Sequence, residues 1–236
     1  MEPILSELVE RLKKAHGGRL VSVILYGSAA LPEGKDKYSD YNVLCVLQQV
    51  TPDELEDAEP VFRWWREKQN PSPLLLSERE VVTSTDCFPI EFHDIKERRL
   101  VLFGADVAEG LNVDYRYYRA QVEYQLRAKL LRLRQKAGSV LSERDLLMRL
   151  MLDSVSTFCV LFRHALMLRG ESGKFDKRAV VIAAHDRFGI DAGPFLTLLD
   201  VRDEKARPQD VQAAPLFREY LKQIEALVAA VDAMEE

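Results

Sequence analysis

Apolar residues recur at helical spacing in residues 3–15, where Ile4, Leu5, Leu8, Val9 and Leu12 fall on one side. Gly17-Gly18 ends that pattern. Residues 20–26 form an unbroken run rich in Val, Ile and Leu, short enough for a buried strand. A polar stretch, 32–39, carries Gly34 and several charges, and 41–47 is a second apolar run of strand length. Thr51-Pro52-Asp53-Glu54 predicts a helix start: Thr51 can cap, Pro52 suits the first turn, and Glu54 completes a capping box. That helix is expected to reach about residue 69, before Pro71 and Pro73. Leu74-Leu75-Leu76 suggests a short strand. Ser77-Glu78-Arg79-Glu80 is a second capping box, and residues 88–95 read as a third main strand.

The pattern changes after residue 115 and becomes helical almost throughout. Helices are expected near 113–137, 142–169, 177–188, 193–204 and 215–235, with Ser142 as an N-cap and Gly170, Gly173 and Gly189 at the breaks. Gly104 and Gly110 interrupt the chain between the two patterns. The expectation is an α+β protein: a mixed sheet with flanking helices over 1–108, then an all-α helical bundle over 109–236. No internal repeat is apparent.

Composition narrows the function classes. The 236 residues are 47% hydrophobic and 30% charged, enough for a sizeable core in one or two domains. A net charge of -5 offers no broad basic footprint, so a general nucleic-acid binder is not expected, although a local basic cleft remains open. No apolar run approaches the roughly 18 residues of a membrane span. Cys45, Cys87 and Cys159 each sit in an apolar stretch and read as buried free thiols in a reducing cytoplasm. Together with the four histidines they form no zinc-ligand spacing.

The candidate chemistry begins where the run 21–25 ends in Tyr26-Gly27-Ser28. A glycine after a strand lets the backbone turn sharply, and its N–H groups with the Ser28 hydroxyl can cradle a phosphate oxygen. Alone, such a turn is most often only a turn. Asp40 stands twelve positions after Ser28, at the start of the next strand, and Asn42 shares its face. Two oxygen ligands so placed can hold magnesium over a triphosphate. The plainer reading makes Asp40 a turn residue and leaves Asn42 in solvent. A third acid is expected on a neighbouring strand. Glu91, between Ile90 and Phe92, is the candidate, with Asp94 its rival.

Gly27-Ser28, Asp40-Tyr41-Asn42 and Glu91 together resemble the nucleotidyltransferase superfamily (DNA polymerase beta-like) over residues 20–104. The helical region resembles the C-terminal domain of small bacterial members, including aminoglycoside nucleotidyltransferases. The resemblance implies a nucleotidyltransferase fold in which Gly27 and Ser28 bind the terminal phosphates of a nucleoside triphosphate. Asp40, position 42 and Glu91 would hold Mg2+, with Asp40 and Glu91 catalytic. A hydroxyl on a small molecule or protein would attack the α-phosphate and release pyrophosphate. Asn42 departs from the pattern, which has a carboxylate there. With Asp40 and Glu91 alone the formal charge is -2, which suits one metal arriving with nucleotide better than two. The alternative is an inactive relative that binds a nucleotide or a partner protein.

Other features have simpler readings. Arg178 and His185, seven apart on one helix, vaguely resemble the pairing in HEPN-type ribonuclease domains, but a structural pair is expected. Arg127, Lys129, Arg132, Arg134 and Lys136 spread around one helix and read as a solvated surface. Tyr115, Tyr117 and Tyr118 read as packing residues rather than base-stacking ones. Trp64-Trp65 reads as one core and one partly exposed residue. Nothing identifies the base, the acceptor or the oligomeric state.

Overall fold

A computed structural model describes residues 2–30, 41–171 and 176–234, without the Ser28 side chain. The chain forms two compact units, residues 1–116 and 117–236. Residues 105–116 fold with the first unit, where Ala108 and Val113 are buried.

The first unit holds a four-stranded sheet of order β3-β2-β1-β4. β1 (Leu20–Tyr26) is central, antiparallel to β2 (Asn42–Leu47) and to β4 (Arg99–Gly104). β3 (Leu74–Ser77) runs parallel to β2. That parallel pairing needs a crossover, which α2 (Pro52–Glu67) supplies. Alternation along the strands sends side chains to two faces. Val23, Leu25, Val43 and Cys45 meet Leu5, Leu8 and Leu12 of α1 (Pro3–His16) and Trp65 of α2. Ile24, Leu44 and Val46 meet Val81 of α3 (Glu78–Thr83) and Phe92 and Ile95 of α4 (Pro89–Glu97). Each fully buried leucine such as Leu8 or Leu12 contributes about 1.5–3 kcal/mol.

Both capping boxes form. Glu54 accepts the Thr51 N–H at 3.0 Å, and Glu80 accepts the Ser77 N–H at 2.8 Å. Trp65 is buried and donates its Nε1–H to the Pro71 carbonyl at 2.9 Å, while Trp64 is half-buried beneath the Arg11 guanidinium.

Three expectations fail. The helix expected to be capped by Ser142 begins at Arg144, with Glu143 at its N-cap. Residues 88–95 are not a strand. Pro89 opens α4, and Phe92 and Ile95, three apart, face the core together as a helix requires. The third main strand is instead β4. Cys87 is exposed in the turn before α4, whereas Cys45 and Cys159 are buried free thiols.

The second unit is helical: α5 (Tyr118–Ala137), α6 (Arg144–Leu168), α7 (Lys177–Phe188), α8 (Gly193–Arg202) and α9 (Ala213–Asp232). α6 runs through the middle, packed by the other four. Phe158, Phe162, Phe195 and Tyr220 form its aromatic centre, with Phe195 5.0 Å from both Phe162 and Tyr220. The Tyr220 hydroxyl meets Ser154 Oγ at 3.0 Å, which satisfies a group buried in that core.

Candidate functional site

The apolar run of β1 stops at Tyr26. Gly27 follows with φ +78°, a left-handed conformation that favours glycine, and opens a 3-10 turn, Gly27–Ala30. The Gly27 N–H is anchored to the Arg98 carbonyl at 3.1 Å. Across the ladder Tyr26 pairs with Asn42, so their side chains project to the same face. A Cβ on Gly27 would rest 3.4 Å from Asn42 Nδ2. The sheet therefore brings Asn42 to the glycine turn.

Helix α4 covers that face. Glu91 and Asp94, three apart, lie on one side of it. Both act on Tyr26, whose phenol is pushed up to about 12 by burial first, then by the charges of Glu91 and Asp94. Farther along α4, His93 Nδ1 and the Tyr115 hydroxyl lie 2.6 Å apart. Burial, then Glu97 and Asp94, raise the Tyr115 phenol. Behind the site, Arg99 grips both oxygens of Asp106, with Nε at 2.8 and 3.0 Å, and this fixes the start of β4. Among the described residues, the Tyr26 hydroxyl, the Asn42 amide and the Glu91 carboxylate make no hydrogen bond or ion pair.

Of the residues singled out in the sequence, Gly27 and Asn42 come together, and Glu91 approaches their face through Tyr26. Asp40 and the Ser28 side chain lie outside the described residues. Glu91 reaches the site from a helix, not from a strand, and Asp94 shares its side. β2 lies between β1 and β3, and β3, with Leu44 opposite Leu74, carries Leu74-Leu75-Leu76-Ser77 with no carboxylate. Sequence reasoning missed Tyr26, although its place directly before the turn was visible. Among the described residues no group of three or more His, Cys, Asp or Glu could hold a metal ion. The donors present are one neutral amide and the helix carboxylates. That set suits a single hard cation arriving with its own phosphate ligands.

No family model matches the chain, and no curated protein matches it in sequence. Among solved structures, the chain resembles spectinomycin adenyltransferase AAD(9) from Enterococcus faecialis, determined with ATP and spectinomycin. The TM-score is 0.63 at 13% identity, over 97% of this chain and 98% of that one. The fold is a nucleotidyltransferase fold. The likeness spans both units, so the helical half of this chain also has its counterpart in that nucleotidyltransferase structure.

The remaining candidates are structural. Arg178 pairs with Asp200 at 2.8 Å and Asp203 at 2.7 Å, and His185 is exposed with Nδ1 2.6 Å from the Ile190 carbonyl. On α5, Arg127 is bound to Glu123 and Asp232, and Arg134 to Glu225. Tyr118 is buried against His164, whereas Tyr117 is exposed. No described helix is long and apolar enough to cross a membrane.

Proposed function

We propose that the first unit binds a nucleoside triphosphate at the Gly27 turn and, with magnesium, passes its nucleoside monophosphate to a hydroxyl acceptor. One observation carries this reading. Among the described residues, Tyr26, Asn42 and Glu91 make no hydrogen bond or ion pair and are only partly buried, on the face of the sheet that leads into the Gly27 turn. The phenol and amide among them can donate hydrogen bonds to phosphate oxygens of a bound nucleotide. The neighbouring structure with ATP makes ATP the first nucleotide to try, and its spectinomycin makes a small hydroxyl-bearing acceptor the first acceptor class.

In this scheme the backbone of the Gly27 turn and Ser28 orient the terminal phosphates. Asp40 and Asn42 would hold magnesium, with Glu91 contributing from α4. When bound, the ion would offset charge on the phosphate oxygens. Glu91 or Asp94 would take the proton of the attacking hydroxyl as its bond to the α-phosphorus forms and pyrophosphate leaves.

A second reading, nucleotide binding without transfer, is favoured by two observations: Asn42 brings no charge, and β3 supplies no acid. Titration calorimetry with ATP, CTP, GTP and UTP, with and without magnesium, tests binding. Pyrophosphate release with candidate acceptors separates transfer from binding alone. Asn42→Asp should tighten magnesium-nucleotide binding about tenfold, because a carboxylate there adds charge next to the ion. Absence of nucleotide binding under every condition would sink both readings.

A further inference from the structure

Tyr26 has a side chain whose ring and hydroxyl call for different explanations. The ring packs with the cluster of Ile24, Phe92 and Ile95 under α4, a role that phenylalanine would fill as well. The hydroxyl makes no hydrogen bond among the described residues, so it adds nothing to that packing. It lies on the same face as Asn42, one residue before Gly27, with Glu91 and Asp94 in electrostatic reach. A phenol is protonated at neutral pH, so it carries a proton to donate.

We infer that Tyr26 is a nucleotide-contacting residue whose hydroxyl donates a hydrogen bond to an anionic phosphate oxygen of a triphosphate seated at the Gly27 turn. The inference rests on the nucleotide-binding reading above and adds a contact to it. In the metal set that the superfamily resemblance implies, position 42 carries negative charge and the metal neutralises the phosphates. Here the paired positions Tyr26 and Asn42 both present neutral groups. Direct donation to the phosphate takes over part of the stabilisation that a second ion would give.

Tyr26→Phe removes the hydroxyl and keeps the ring. Calorimetry at neutral pH with magnesium would compare wild type and Y26F against ATP, inorganic triphosphate and adenosine. ATP and triphosphate should bind the variant about tenfold more weakly, the loss typical of one hydrogen bond to a charged group. Adenosine should bind both proteins alike, and the variant should melt no lower than wild type. Equal ATP affinity in the two proteins would overturn the inference and leave the nucleotide-binding reading standing. Equal loss for adenosine would also overturn it, since the contact would then not be to phosphate. Wild type that binds neither ATP nor triphosphate would remove the nucleotide-binding reading and the inference with it.

Discussion

The two ends of β1 treat polar groups in opposite ways. At its start, Arg19 bridges Glu54 at 2.9 Å and Asp57 at 2.6 Å, and Glu54 also holds the Thr51 N–H. The Thr51 hydroxyl first, and Arg19 after it, hold the Glu54 carboxyl down at about 2, against the cost of burial. There the Ser22 hydroxyl donates to the Ala105 carbonyl at 2.6 Å. At the other end, Tyr26, Asn42 and Glu91 meet no such partners among the described residues. The first end ties its charged groups into the fold, and the second leaves its polar groups accessible at the Gly27 turn.

That contrast can be broken from either side, and the largest effect should come from the structural end. Gly104 pairs with Ser22 at φ +76°, and a Cβ there would fall 1.9 Å from the Val21 carbonyl oxygen. Gly104→Ala should cost more than about 3 kcal/mol, read from the urea midpoint, because strain and a backbone clash add. An unchanged midpoint would mean that this end of the sheet yields more easily than its geometry suggests.

The intermediate effect is a pH dependence. His16 ends α1, is buried, and neither ring nitrogen has a hydrogen-bond partner. Burial, then Arg19, lower its pKa from 6.5, while Asp57 and Glu54 pull it up more weakly. The folded protein therefore binds fewer protons there than the unfolded chain does. Its stability should fall as pH drops through 6.5 and go on falling down to the lowered value. His16→Leu should flatten that limb below neutral pH, followed by thermal melts in a buffer series. An identical acid limb in the variant would clear His16 of the role.

The smallest effect on stability should come from the ligand end. Glu91→Gln removes a charge that pairs with nothing among the described residues. The melting free energy should stay within about 0.5 kcal/mol of wild type. Over the same substitution, magnesium-dependent ATP binding should weaken measurably in calorimetry. A large loss of stability would show that Glu91 belongs to the framework after all.

Much of this framework was legible in residue order. The Thr51 and Ser77 boxes, the run 20–26 and the helices of the second unit follow from local spacing, which their own side chains determine. Residues 88–95 were misread because Pro89 at a first turn and the three-residue step from Phe92 to Ile95 were outweighed by apolar content. The order of the sheet was not legible for a different reason. Which strand lies beside β2 depends on the parallel pairing with β3, a long-range choice that no local pattern encodes. Tyr26 was read only as the end of an apolar run, because an aromatic at the end of a buried strand looks like core.

The amide of Asn42 has one more consequence. Amide and carboxylate share a shape, and the codons for asparagine and aspartate differ at a single base. The side chain makes no hydrogen bond to the described fold, so packing raises no barrier to that exchange. An evolutionary step toward a carboxylate is thus short and structurally open. Selection on an amide at this position would have to act through the ligand rather than through folding.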